Sequence, residues 1–131
     1  MAITTGTTWD IVLNAAPTRA TTLEQAVSAR AAYQDALHSR AVVVDLRPAD
    51  DRAGSGSIHP DLGAVTIEPR ELPTWLVHNG RGADAILLTQ DGTLAAELAT
   101  GLDAVGIART TYVTGGFIAW RTAGLPVITA G

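Results

Sequence analysis

Two hydrophobic rhythms alternate along this chain. One is a set of short unbroken apolar runs. Ala41-Val42-Val43-Val44-Asp45-Leu46 is rich in β-branched residues, the pattern of a parallel strand covered on both faces. Ala64-Val65-Thr66-Ile67, Ala85-Ile86-Leu87-Leu88 and Thr111-Tyr112-Val113 are shorter runs of the same kind. The other rhythm repeats every three or four residues and predicts helices. Thr21 and Glu24 have capping-box spacing, and Leu23, Ala26, Val27, Arg30, Ala31, Gln34 and Leu37 trace one helical face to about His38, which suits the negative end of that helix. A helix from about Thr93 to Val105 buries Leu98, Leu102 and Val105, with Gly106 as its stop. Another runs from Phe117 to Ala123 and is closed by Gly124-Leu125-Pro126. Glu71 to Val77 predicts one or two helical turns, with Leu72, Trp75 and Leu76 facing inward.

The remaining segments are less patterned. Trp9, Val12, Leu13 and Ala16 have helical spacing, yet Ile11 and Val12 also suit a strand; Pro17 ends the element either way. Residues 49–61 read as a short helix or loop followed by an irregular segment, and Asn79-Gly80-Arg81-Gly82 as a surface loop. Strands alternating with helices predict an α/β fold: a central parallel sheet of about five strands with helices on both faces. At 131 residues the chain suits one domain, spanning 1–131, of which 1–20 is a tail or short helix.

Composition narrows the chemistry. The chain is 47% hydrophobic and 17% charged, with a net charge of −4, as expected for a globular domain. Its basic residues are all arginine and are scattered, so nucleic acid is not an expected partner. No apolar stretch approaches the roughly 20 residues of a membrane span, and no basic start leads into an apolar run; a cytoplasmic protein is expected. There is no cysteine, which removes disulfides, thiolate metal sites and any cysteine nucleophile of this chain. His38, His59 and His78 have no ligand spacing, so neither a metal nor another cofactor is expected.

The segment 85–98 carries the one candidate site. A strand (Ala85–Leu88), a tight polar turn (Thr89 to Thr93) and a helix start point backbone N–H groups at one spot, with the helix's positive end behind them. Ligands of parallel sheets sit at the carboxyl ends of strands, where this turn lies.

Several motifs resemble one family. Val113-Thr114-Gly115-Gly116-Phe117-Ile118-Ala119-Trp120-Arg121-Thr122-Ala123-Gly124-Leu125-Pro126-Val127 is similar to the C-terminal signature of rhodanese-like domains, and Val43-Val44-Asp45-Leu46-Arg47 to the family's strand ending in Asp-x-Arg. Gly56-Ser57-Ile58 followed by Gly63-Ala64-Val65 resembles its Gly-His-Ile-Pro-Gly-Ala segment, with Ser57 in place of His and an insertion at His59–Leu62. Ile67-Glu68-Pro69-Arg70-Glu71-Leu72-Pro73-Thr74-Trp75 resembles a small single-domain subgroup. The resemblance runs from about Thr21 to Val127 and implies a three-layer α/β fold. It also implies a six-residue loop that, in the family's thiosulfate sulfurtransferases, begins with a persulfide-carrying cysteine and often ends with an anion-binding Arg.

Counting back from Ala104-Val105-Gly106 puts Thr89 at the cysteine position and Leu94 at the Arg position. A threonine hydroxyl cannot carry a persulfide, and Asp91 brings a negative charge to where an anion would sit. The ligand-binding loop is therefore Thr89, Gln90, Asp91, Gly92, Thr93 and Leu94, with Asp45 and Arg47 as bracing residues, and no catalytic residue is assigned. Thr89 is expected to bond its hydroxyl into the turn and Asp91 to cap the helix; Trp75, Phe117 and Trp120 are expected to pack in the core or at its rim. The expected function is a catalytically inactive rhodanese-like module that binds a protein, a peptide or a small anion, as a monomer or a homodimer. The alternative is a sulfurtransferase-type enzyme using a partner's thiol, or a different loop-based chemistry.

Overall fold

The computed structural model describes residues 25–79, 84–107 and 109–129. The element at Trp9–Ala16, the capping pair Thr21 and Glu24, and the Gly80–Gly82 turn lie outside the described residues. In chain order the described elements are β1 (Ala26–Val27), α1 (Ala29–Leu37), β2 (Val42–Asp45), α2 (Ala49–Ser55), β3 (Ser57–Ile58), a 3₁₀ turn (Pro60–Leu62) and β4 (Val65–Thr66). They continue with a second 3₁₀ turn (Pro69–Glu71), α3 (Leu72–Asn79), β5 (Ala85–Leu88), α4 (Thr93–Ala104), β6 (Thr111–Val113), α5 (Gly116–Thr122) and β7 (Val127–Ile128).

Five strands form one sheet in the order β1-β6-β5-β2-β4, and every neighbouring pair is parallel. Strand β5 lies at the centre, and all four of its residues are buried, as an unbroken Ala-Ile-Leu-Leu run requires. Side chains alternate across a strand, so adjacent apolar residues serve opposite layers. Val44 and Leu87 face one layer with Leu72 and Leu76 of α3 and Ala95, Leu98 and Leu102 of α4. Val43, Ile86 and Leu88 face the other with Ala29, Ala32 and Ala36 of α1 and Phe117 and Trp120 of α5. The result is a three-layer α/β architecture.

The N-terminal helix starts later than its periodicity suggests. Ala26 and Val27 form an edge strand paired with Tyr112 and Val113, and Ser28 caps α1 by accepting the Ala31 N–H at 3.0 Å. Pairing with β6 satisfies the backbone of Ala26 and Val27, and the hydroxyl of Ser28 supplies the cap, so tertiary hydrogen bonding overrides the local period. The buried face changes accordingly. It consists of Ala29, Ala32 and Ala36, whereas Leu37, expected to face inward, is 49% exposed. Small side chains let this helix lie close against the sheet and α5.

A second departure is a two-stranded antiparallel ribbon in which Ser57 pairs with Ile128 and Ile58 with Val127. It draws one strand from a segment that reads as irregular and the other from beyond Pro126. Two-residue strands have no period to detect; they exist because the chain ends of α2 and α5 meet.

The helix-face assignment has a direct test. Ala32→Leu, at a position with no exposed surface, should destabilise the protein by about 1–3 kcal/mol through overpacking. Leu37→Ser should change stability by no more than about 0.5 kcal/mol, both read by denaturant unfolding.

Candidate functional site

The loop between β5 and α4 is held from two sides. From above, the start of α5 donates two backbone hydrogen bonds to it: Phe117 N–H to the Thr89 carbonyl (2.9 Å) and Ile118 N–H to the Gln90 carbonyl (3.1 Å). That approach requires glycine at 116. A Cβ there would sit 2.2 Å from the Thr89 oxygen, and the backbone is left-handed at φ +62°.

From below, Arg47 anchors the loop. Its guanidinium grips Asp45 in two places (Nε to Oδ1, 3.0 Å; Nη2 to Oδ2, 2.8 Å), and the Arg47 backbone N–H adds a third bond to Oδ1 at 3.0 Å. Nη2 also donates to the Gly56 carbonyl (2.9 Å) and Nη1 to Gln90 Oε1 (3.2 Å). The guanidinium carbon lies 3.9 Å from the centroid of the Phe117 ring, a cation–π contact. The Arg47 side chain has no exposed surface. Gln90 passes the bracing on, donating from Nε2 to Ser55 Oγ at 3.0 Å. One arginine thus ties together the ends of β2 and α2, the loop and α5.

Within the loop, side chains take up the polar hydrogens nearest them. Thr89 is 5% exposed, and its hydroxyl accepts the Ala95 N–H at 3.3 Å. Asp91 Oδ1 accepts the Thr93 N–H at 3.0 Å. The capping position itself is Gly92, in a left-handed conformation at φ +88°, and not Asp91 as the sequence suggests. The reason is geometric: the chain turns sharply at Gly92, and the Asp91 carboxylate reaches two residues forward to the Thr93 amide, the first of the helix, while the Thr89 hydroxyl takes the Ala95 amide that a cap would serve. The Thr93 amide, followed by the Thr93 hydroxyl, holds the Asp91 carboxyl below its ordinary value.

Leu94, at the start of α4, is 38% exposed and borders a cleft of about 540 Å³ at the carboxyl ends of β2 and β4. Leu46, Pro48, Ile67 and Pro69 form much of its wall, with Arg47, Arg52 and Glu68 among its polar residues. Nothing in the residue pattern marks Pro48, Arg52, Ile67 and Glu68 as neighbours of the loop, because β2 and β4 bring them there only by lying side by side. The linking role of Gln90 is equally invisible in sequence. The expected bracing by Asp45 and Arg47 and the hydroxyl bond of Thr89 are present. Phe117 and Trp120 are fully buried and Trp75 partly so, as core and rim packing require. His59 sits in a turn, where Nδ1 accepts the Asp61 N–H at 3.1 Å. Among the described residues no group of three or more His, Asp or Glu is placed to hold a metal ion, and no helix is long and apolar enough to cross a membrane.

No known family profile matches the chain, and no curated protein matches it by sequence. Solved structures do match. The rhodanese-like domain of an Anabaena protein superposes with a TM-score of 0.63 at 15% identity, over 81% of this chain and 80% of its own. The fold is rhodanese-like. A full-length protein from Lactobacillus plantarum gives 0.63 at 20% identity, over 84% and 92% of the two chains. A protein of unknown function and possible tyrosine phosphatase from Rhodopseudomonas palustris gives 0.66 at 20% identity, over 97% and 98%. In this rhodanese-like fold the loop at the carboxyl end of β5 carries no cysteine.

Two outcomes are expected. Asp45→Ala should cost about 3–5 kcal/mol in denaturant unfolding, since it strands a fully buried guanidinium. Asp91 contributes by its lowered carboxyl, so its share of stability is present above the unfolded-state value of about 3.9 and is lost as pH falls through the lower folded value. The Tm gap between the wild type and Asp91→Ala should therefore hold steady down to about pH 5 and close in stronger acid.

Proposed function

We propose that this chain is a rhodanese-like binding or regulatory module without sulfur transfer of its own. The observation that carries this reading is the state of Thr89. It stands where the family's resemblance places a sulfur-carrying thiol, yet its hydroxyl is buried and already accepts the Ala95 amide. A nucleophile needs a base and an open approach, and Thr89 has neither an adjacent histidine nor solvent access. Leu94 removes the loop-closing cation, while Asp91 takes the Thr93 amide that an incoming anion would need.

What remains is a rigid loop beside an open cleft, an arrangement suited to recognition. The same loop state argues against a different loop-based chemistry. A role with a partner's thiol would need the loop to receive an anionic sulfur, which Asp91 opposes. The Rhodopseudomonas neighbour's possible phosphatase activity adds phosphate esters to the substrates worth testing, and the same lack of a nucleophile predicts none is cleaved.

The pure protein should show no thiosulfate-to-cyanide transfer and no p-nitrophenyl phosphate hydrolysis above the no-enzyme rate. Turnover in either assay would overturn the proposal. The triple variant Thr89→Cys, Asp91→Ala, Leu94→Arg should gain measurable sulfur transfer, because it restores the thiol and the cation, frees the Thr93 amide and keeps the backbone that shapes the loop.

A further inference from the structure

The charges that line the cleft beside Leu94 do not cancel, and the one left over is a cation. Arg47 is matched by Asp45 at 2.8 Å, and Glu68 on the rim by Arg70 at 3.7 Å. Arg52 has no such match. It is half-buried on α2, and its acceptor among the described residues is the backbone carbonyl of Arg47, which carries no charge. Asp50 and Asp51 are its acidic neighbours in sequence, but helix positions that close together point in different directions. Neither of them lines the cleft, and nor does Asp91, whose carboxylate is turned to the Thr93 amide. The walls around the guanidinium are apolar: Leu46, Pro48, Ile67, Pro69 and Leu94 border a volume of about 540 Å³, within the range of small-molecule sites. A cation against such walls acts through a lower effective dielectric than one in open water. Arg121 makes the contrast. It donates to the Ser55 carbonyl at 3.3 Å, but it is exposed and borders a hollow of only about 260 Å³.

We propose that this cleft binds a small monocarboxylate with an apolar body, held by its carboxylate on Arg52 and by its body against Ile67 and Leu94. The planar fork of a guanidinium matches the two oxygens of a carboxylate. One cation offsets one negative charge, whereas a phosphate monoester would bring nearly two beside the carboxylate of Glu68. Arg52 lies outside the loop of Thr89 to Leu94, so this anion does not compete with Asp91 for the Thr93 amide. The inference rests on the reading of this chain as a binding module, and it names the class of ligand.

Amide chemical shifts of the isotope-labelled protein at pH 7 test this with four probes: 2-naphthoate, the neutral 2-naphthol, 2-naphthyl phosphate and acetate. Saturable shifts at Leu46, Arg52, Ile67 and Leu94 are expected with 2-naphthoate, at least tenfold tighter than with any of the other three. Arg52→Gln should weaken 2-naphthoate at least tenfold and leave 2-naphthol unchanged, and Arg52→Lys should fall between Arg52→Gln and the wild type. Glu68→Gln, on the exposed rim, keeps the fold out of question and should tighten 2-naphthoate alone. The proposal is overturned if 2-naphthoate gives no saturable shift, or if 2-naphthol, acetate or 2-naphthyl phosphate binds as well. It is equally overturned if Arg52→Gln and Glu68→Gln both leave 2-naphthoate binding unchanged. Shifts confined to the hollow of Ile118 and Arg121, or to the groove of Pro73, Val77 and Ile107, would overturn it too. These titrations involve no turnover, so their failure leaves the absence of sulfur transfer standing, and turnover in the earlier assays would overturn that reading by a different measurement.

Discussion

A guanidinium with no exposed surface must find inside the protein all the partners that water would supply, and most of this site's order follows from that requirement. Arg47 is two residues beyond Asp45, on the strand end that leaves the sheet, so the pair can close bidentately without help from distant chain. Its remaining hydrogens then reach the Gly56 carbonyl and Gln90, and its face meets Phe117. Each of these partners belongs to a different element. The cost of leaving any part of a buried charge unsatisfied is large, so the arginine fixes the relative positions of β2, α2, the loop and α5 more firmly than their short lengths could do alone.

The loop benefits from this support and is closed from the other side by α5. Gly116 allows that helix to come within hydrogen-bonding distance of the Thr89 and Gln90 carbonyls, a distance any Cβ would forbid. The scaffold for presenting amides at the end of β5 is thus complete. Within it, Thr89 and Asp91 satisfy nearby amides, and Leu94 carries apolar surface toward the neighbouring cleft.

Much of this was legible from residue order. The β-branched run ending in Asp45, the Ala-Ile-Leu-Leu run and the twin glycines before Phe117 carry strong local signals, because full burial of a parallel strand and a close helix approach each demand particular residue types. The same holds for the absence of cysteine, which needs only a count. The start of α1 was not legible. Ala26 and Val27 fit a helical face as well as they fit a strand, and only the pairing of their backbone with Tyr112 and Val113 settles the matter. Leu37 was misplaced with them, since its exposure depends on where the helix begins.

The cap at Gly92 shows the same boundary on a smaller scale: an acidic residue before a helix predicts a capping role, but the sharpness of the turn moves the cap itself one residue along. Sequence alone established the layer scheme, the strand–loop–helix at the sheet's carboxyl end and the absence of cysteine, because each is written in local pattern or in residue identity. The cleft lined by Leu46, Ile67 and Leu94, the bracing of Gln90 and the ribbon of Ser57–Ile58 with Val127–Ile128 belong to the tertiary structure. They join residues far apart in the chain, and such contacts arise only when the sheet sets its strands side by side.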